Sequence, residues 1–150
     1  MTILDKINAN KLKEIKAAKA SVSVKQLESS LLFERNCFSL KDAIIEKSGI
    51  IAEFKRQSPS KGVINGLVKP QDVALGYEKA GVSAISCLTD LDYFGGTFDD
   101  LRAVRDAISI PVLRKDFMLD EYQLLEAKSL GADIILLIAS SLSVKKTNQL

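Results

Sequence analysis

Three charged residues near the ends of two apolar segments are the strongest candidates for chemistry. Glu53 and Lys55 are two residues apart in an apolar run, so in a β-strand both side chains point to the same face. Lys115 lies at the matching end of another apolar run. Charges on the inner face of a sheet are costly unless they pair or act on a ligand. The pattern indicates acid–base chemistry by an ammonium group beside a carboxylate, with a purely structural salt bridge as the alternative.

Other candidates follow the same apolar segments. Ser58 opens a turn-rich stretch whose hydroxyl and amide groups either bind an anionic group or form an ordinary turn. Phe94 and Phe117 lie just beyond two apolar segments, where they either sandwich a planar ring or pack a loop against a helix. Four further charges are expected to be solvated rim charges or loop-fixing groups: Arg56, Lys61, Asp90 and Asp116.

The elements that position these residues alternate along the chain. Apolar runs at 50–55, 82–88, 110–113 and 132–138 predict four strands, and amphipathic stretches at 70–80, 97–108 and 120–130 predict the helices between them. Such alternation is typical of βα units with a parallel sheet. Charges at the carboxyl ends of strands, and the lack of a glycine-rich phosphate loop, favour a (β/α)8 barrel over a doubly wound open sheet.

Residues 1–47 carry no strand pattern and are predicted to form a helical extension, separate from the barrel unit at 48–150. A capping-box start at Thr2 and Asp5 predicts the first helix, and two more are expected at 24–34 and 40–46. Glycines at 81 and 131 are expected to end two of the later helices.

Composition excludes several classes of function. There are 21 basic and 19 acidic residues, interspersed, which argues against nucleic-acid and membrane-surface partners. No histidine is present, so histidine metal sites and Ser-His-Asp triads are excluded, and no metal site is expected. No apolar stretch reaches the length of a membrane span. Cys37 and Cys87 are expected to be reduced thiols in a cytoplasmic protein.

Four segments together resemble one enzyme family. The stretches 51–62 (IAEFKRQSPSKG), 87–90 (CLTD) with 93–96 (YFGG), 111–117 (PVLRKDF) and 131–138 (GADIILLI) resemble, in order and spacing, the first four strand signatures of indole-3-glycerol phosphate synthases. The helical residues 1–47 are similar to the extension that precedes the barrel in that family. The resemblance covers nearly the whole chain.

The resemblance implies a cofactor-free carbon–carbon lyase of tryptophan biosynthesis. Its phosphorylated substrate, 1-(2-carboxyphenylamino)-1-deoxyribulose 5-phosphate, undergoes ring closure with loss of CO₂ and water. By this likeness, Lys115 is the general acid and Glu53 orients the charged groups around it. Lys55 and Ser58 bind anionic parts of the substrate. Its aromatic ring packs against Phe94, Phe117 and Leu136.

A complete barrel of this kind needs eight βα units and about 250 residues. The sequence supplies four units, so we expect the first half of a barrel, inactive alone and prone to self-association through exposed sheet edges. The family's remaining catalytic and phosphate-binding groups belong to its second half. One alternative is a non-catalytic half-barrel that pairs with itself or with a separate second half. Another is a phosphoribosylanthranilate isomerase, whose chemistry does not need the run at 53–60.

Overall fold

A computed structural model describes residues 2–150 and shows an α/β architecture built on a parallel sheet. Its strands are β1 (Ile51–Phe54), β2 (Gln57–Ser58), β3 (Gly62–Val63), β4 (Ala84–Leu88), β5 (Val112–Lys115) and β6 (Ile134–Ile135). Its α-helices are α1 (Ile3–Ser21), α2 (Val24–Glu28), α3 (Leu40–Glu46), α4 (Pro70–Lys79), α5 (Leu91–Phe94), α6 (Phe98–Ala107), α7 (Glu121–Ser129) and α8 (Val144–Gln149). A short 3₁₀ turn covers Ala139–Ser141.

The main sheet has the order β1-β4-β5-β6, with every neighbouring pair parallel. This order follows the chain without the reversal that a doubly wound sheet requires. It is the order expected for consecutive βα units of a barrel, which confirms the predicted fold class.

The sheet buries one face under helices and presents charges on the other. Phe54, Ile85, Cys87 and Val112 belong to the apolar core beneath α4 and α6. Because side chains alternate along a strand, the residues between them point to the opposite face. That inner face therefore carries Glu53, and neighbouring strands add Ser86 and Lys115.

Helix boundaries follow local capping chemistry. The Thr2 hydroxyl accepts a hydrogen bond from the Asp5 amide, and the Asp5 carboxylate accepts one from the Thr2 amide, which is the predicted capping box. Gly81 and Gly131 follow α4 and α7 with φ angles of 85° and 88°, a left-handed conformation that glycine adopts at little cost. Both predicted helix ends are confirmed.

An ion cluster docks the N-terminal segment against the sheet. The buried carboxylate of Asp133 lies 2.7 Å from guanidinium nitrogens of both Arg35 and Arg105. It also accepts hydrogen bonds from the amides of Phe38 and Val112, each at 2.8 Å. This Asp133 cluster (Asp133, Arg35 and Arg105) joins the segment between α2 and α3 to β5.

One predicted helix was wrong in extent, and one short helix was not predicted. The predicted helix at 24–34 ends at Glu28 because the following serines divert the chain. The Ser29 hydroxyl donates to the Gln26 carbonyl, and the Ser30 hydroxyl donates to the Ser129 carbonyl at 2.8 Å. The segment after β4, where no helix was predicted, contains the short helix α5, which begins directly after Asp90 because this carboxylate accepts from the Tyr93 amide.

One turn and one strand also differ from the prediction. The turn-rich stretch that begins at Ser58 belongs to a small antiparallel hairpin of β2 and β3. The strand predicted at 132–138 keeps only Ile134 and Ile135 in the ladder, because β6 pairs with β5 alone within residues 2–150. Strand β1 likewise has one partner, β4, so both outer edges of the sheet are open in the described chain. Within the same residues, no helix is both long and apolar enough to cross a membrane.

Candidate active site

The carboxyl ends of β1 and β5 bring three of the predicted charges together. The Lys115 Nζ atom lies 3.5 Å from Glu53 Oε2, and Lys55 Nζ lies 3.3 Å from Glu53 Oε1. The Ser86 hydroxyl, on the strand between them, donates to Glu53 Oε2 at 3.2 Å. One carboxylate thus bridges two ammonium groups in a charged site made of Glu53, Lys55 and Lys115.

The charged site is accessible to a ligand. Its three side chains are each about one-third exposed, at 33%, 34% and 31% respectively. Their ion-pair distances exceed the usual 2.7–2.9 Å of charge-assisted hydrogen bonds, so the ammonium groups keep donors free for other acceptors. The arrangement can bind an anion and donate a proton to an oxygen above the inner face of the sheet.

An aromatic pair, Phe94 and Phe117, lies at the ends of α5 and β5. The ring centroids are 6.1 Å apart and the planes are tilted by 36°. Both residues are half-buried. The separation falls within the range of mutually packed aromatic rings.

The other two predicted binding residues, Ser58 and Leu136, lie in the hairpin and just beyond β6. The Ser58 hydroxyl, in the hairpin, accepts from the Lys61 amide at 3.2 Å and lies 3.4 Å from the Ser60 hydroxyl. Leu136 is half-buried just beyond β6.

The charges Asp90 and Asp116 are fully buried, so the solvated alternative was wrong for them. Both carboxylates face the ammonium group of Lys11 on α1, which is 2.9 Å from Asp90 Oδ2 and 3.0 Å from Asp116 Oδ1. Lys11 also lies 2.6 Å from Glu14. Together they form the Lys11 cluster (Lys11, Glu14, Asp90 and Asp116).

The sequence analysis missed Lys11, although its spacing carried a signal. Ile7, Lys11 and Ile15 are the buried residues of α1 and are four positions apart, so they share one helix face. A lysine in the middle of an apolar face needs an anionic partner, because burying an unpaired charge is costly. The pattern predicts a buried ion pair but does not identify the residue that pairs with Lys11.

Beneath the end of β5, the buried Arg114 guanidinium fixes the chain on either side of Lys115. It lies 3.0 Å from Asp116 and 2.8 Å from Glu126, and donates to the Thr89 hydroxyl at 3.1 Å. Burial alone raises the pKa of Asp116, but the charges of Arg114 and Lys11 outweigh it, so that this pKa lies below its ordinary value. Asp116 therefore remains an anion at neutral pH.

Of the two remaining charged residues, Arg56 fixes a loop and Lys61 is solvated. The Arg56 guanidinium makes a bidentate pair with Asp100 at 2.7 and 2.8 Å, which fixes the loop after β1 to the start of α6. Lys61 is exposed in the hairpin.

A cavity of about 520 Å³ lies apart from the charged site, between α1, α6 and α7. Lys11, Thr89, Arg114 and Asp116 contribute to its lining, whereas Glu53 and Lys115 do not. Residues 2–150 contain no group of three side chains placed to hold a metal ion.

Comparison with known proteins gives a consistent result. The family model described as indole-3-glycerol phosphate synthase matches residues 4–150. An indole-3-glycerol phosphate synthase from Bacteroides thetaiotaomicron is 45% identical over 99% of this chain and 57% of its own length. Proteins of the same name from Neisseria meningitidis serogroup B and Carboxydothermus hydrogenoformans are each 43% identical over 93% of this chain and 56% of their own length. The chain thus spans little more than half the length of these relatives.

Proposed function

We propose a synthase function for this protein because the chain belongs to the indole-3-glycerol phosphate synthase family. The reaction is ring closure of 1-(2-carboxyphenylamino)-1-deoxyribulose 5-phosphate, with loss of CO₂ and water, as a step of tryptophan biosynthesis. The observation that carries the proposal is the approach of Lys115 to Glu53 at 3.5 Å on the open inner face of the sheet. A cytoplasmic location, expected from the two thiols, stays a prediction.

In this proposal Lys115 is the general acid. As the ring carbon attacks the substrate carbonyl, the Lys115 ammonium group donates a proton to the carbonyl oxygen and yields a hydroxyl group. Loss of CO₂ from the attacking ring carbon restores the aromatic ring. Loss of the hydroxyl group, together with a proton of the neighbouring carbon, as water completes the indole. The carboxylate of Glu53 pairs with the Lys115 ammonium group and orients it toward the carbonyl oxygen.

Lys55 and Ser58 supply the contacts to anionic parts of the substrate. Lys55 shares the Glu53 carboxylate and is about one-third exposed, so its ammonium group can turn to a substrate carboxylate or phosphate. Ser58 lies in the hairpin that directly follows β1. Its hydroxyl oxygen accepts from the Lys61 amide, and its proton can turn to an anionic group of the ligand.

The aromatic pair supplies the apolar slot for the substrate ring. Packing of the ring against Phe94 and Phe117, with Leu136 as a third apolar contact, holds the attacking carbon near the carbonyl. Orientation of this kind accounts for a large part of the rate enhancement in ring closures.

Substitution of the proposed acid tests the function. In the full-length protein, Lys115→Ala is expected to lower kcat about 10²–10⁴-fold, since this is the usual contribution of a general acid. Lys41→Ala on α3, an exposed lysine, is the matched control and should leave kcat unchanged. A loss of less than tenfold in a folded Lys115→Ala variant contradicts the role. Absence of indole-3-glycerol phosphate production by the unsubstituted full-length protein contradicts the function itself.

The open sheet edges favour a second candidate, a half-barrel that acts by pairing with a second set of four strands. Both β1 and β6 have a free edge in the described chain, and Ile50 and Ile51 at the β1 edge are 57% and 41% exposed. Such edges pair readily with another chain. We expect the 150-residue polypeptide to self-associate in light scattering and to lack turnover until a complementary set of strands is added. A monodisperse active monomer contradicts this candidate.

A further inference from the structure

The Lys11 ammonium group connects the N-terminal helix to two loops that follow different strands. It is buried, at 3% exposure, and lies within 3.0 Å of carboxylate oxygens of Glu14, Asp90 and Asp116. Glu14 belongs to the same helix. Asp90 and Asp116 belong to the segments after β4 and β5.

Each of these two carboxylates also fixes the backbone that carries one ring of the aromatic pair. Asp90 Oδ1 accepts from the Tyr93 amide at 2.9 Å and so caps α5, whose last residue is Phe94. Asp116 Oδ1, the oxygen nearest Lys11, accepts from the Phe117 amide at 2.8 Å. The Lys11 ammonium group therefore pairs with both carboxylates that fix the backbone near Phe94 and Phe117.

We propose that Lys11 is a positioning residue for the aromatic pair. By holding the carboxylates of Asp90 and Asp116 together, it sets the spacing at which Phe94 and Phe117 receive the substrate ring. The ring as ligand rests on the proposed function. The structural effect of Lys11 on the two phenylalanines does not depend on it.

The charge balance shows why the position of Asp90 depends on Lys11. Asp116 keeps a second cation, Arg114, at 3.0 Å. In the part of the chain described, Asp90 has no other ion-pair partner, and its Oδ2 accepts no other hydrogen bond. Loss of the Lys11 charge leaves Asp90 buried and uncompensated, so its carboxylate takes up a proton or its loop moves toward water, and either change breaks the link from α1 to the backbone of Phe94.

The pKa of Lys11 agrees with this tight pairing. Burial alone lowers the pKa of the ammonium group, but the charge of Asp116 and the hydrogen bonds to Glu14 and Asp90 raise it above its ordinary value. Lys11 is thus a permanent cation at physiological pH.

Docking of α1 has other supports, which makes the positioning role separable from folding. The Tyr122 hydroxyl donates to the carbonyls of Ala18 and Val22 at 3.2 and 2.9 Å. Lys19 pairs with Asp120 at 2.8 Å. Helix α1 therefore stays attached to α7 without Lys11.

The test compares variants of the full-length protein in steady-state kinetics. Lys11→Met keeps the aliphatic stem and removes the charge, and Lys13→Met is the matched control on the exposed side of the same helix. We expect Lys11→Met to raise KM at least tenfold while kcat changes less than threefold, and Lys13→Met to change neither. Lys11→Arg, which retains the charge, should recover most of the loss in KM.

A double variant shows whether Lys11 acts through Asp90. If it does, Lys11→Met and Asp90→Asn are not additive, and the KM of the double variant stays at or below that of Lys11→Met. Asp90→Asn alone weakens one side of the cluster but leaves Lys11 paired with Glu14 and Asp116. It should raise KM at least threefold, and it carries the test if Lys11→Met does not fold.

Fluorine NMR with 4-fluorophenylalanine reports on the rings independently of turnover. The Phe94 and Phe117 resonances should shift in Lys11→Met, whereas that of Phe33, near Lys128, stays in place. Unshifted resonances, additive KM effects, or an unchanged KM in folded Lys11→Met overturn the positioning role. If the unsubstituted protein has no synthase activity, the proposed function fails while the NMR result still decides the role of Lys11.

Discussion

Replacement of Asp133 by asparagine isolates the contribution of the Asp133 cluster. The Asp133 side chain is fully buried and its four donors lie within 2.8 Å: two guanidinium groups, from Arg35 and Arg105, and the amides of Phe38 and Val112. Asparagine keeps the volume but removes the charge and turns an amide NH₂ group toward donors. The buried Arg105, at 6% exposure, then loses its only carboxylate partner in the described chain.

The expected loss in the free energy of unfolding follows from removing one partner of a buried ion pair. Such substitutions destabilise a protein by about 3–5 kcal/mol, because the remaining charge stays buried without compensation. For an m-value of roughly 2–3 kcal/mol/M, the urea midpoint should fall by about 1–2.5 M. The measurement is equilibrium unfolding in urea, followed by far-UV circular dichroism, on the full-length protein.

Asp99→Asn is the control for this substitution. The Asp99 side chain is 90% exposed and pairs with Arg102 at 2.9 Å across one turn of α6. Exposed pairs of this kind contribute little, so its urea midpoint should not change measurably. A midpoint for Asp133→Asn equal to that for Asp99→Asn refutes the view that the Asp133 cluster holds the N-terminal segment in place.

Two further predictions concern close packing and thiol chemistry. A Cβ atom on Gly96 would lie 2.2 Å from the Leu88 carbonyl oxygen, so Gly96→Ala should destabilise the protein by about 1–3 kcal/mol. Gly76 on α4 has open space around its Cα, so Gly76→Ala should stabilise the protein by about 0.5–1 kcal/mol. Equal urea midpoints for the two variants refute this prediction. Burial raises the pKa of the Cys87 thiol to about 12, so its neutral form favours folding up to about pH 9 and this contribution is lost as the pH rises toward 12. At pH 8 iodoacetamide should label the exposed Cys37 and spare Cys87 in peptide mapping, and equal labelling in the native protein contradicts the buried assignment.

The parallel sheet and the charged site were predictable because they depend on short-range periodicity and one topological rule. Apolar runs fix the strands, and residues two apart share a face, which places Glu53 and Lys55 together. Carboxyl ends of parallel strands lie at one edge of a sheet, which brings Lys115 to them. The roles assigned to these side chains stay predictions.

The partners of Lys11 were not predictable, because Asp90 and Asp116 lie far from it in the chain. Asp90 and Asp116 follow strands and look like ordinary surface charges until α1 is packed over them. Only the tertiary arrangement removes them from water. The same reasoning explains the loss of most of the strand predicted at 132–138, since pairing depends on a neighbour rather than on apolar composition.

The contacts that dock the N-terminal helices have a consequence for biosynthesis. Arg35 pairs with the carboxylate of Asp133, 98 residues later in the chain, and the carbonyl of Ala18 accepts from the hydroxyl of Tyr122, 104 residues later. At a translation rate of about 5–20 residues per second, a ribosome needs roughly 5–20 s to synthesise that distance. The part of the polypeptide that emerges first therefore acquires its final partners only after β1, β4 and β5 have been synthesised, and its apolar helix faces stay exposed to chaperones during that interval.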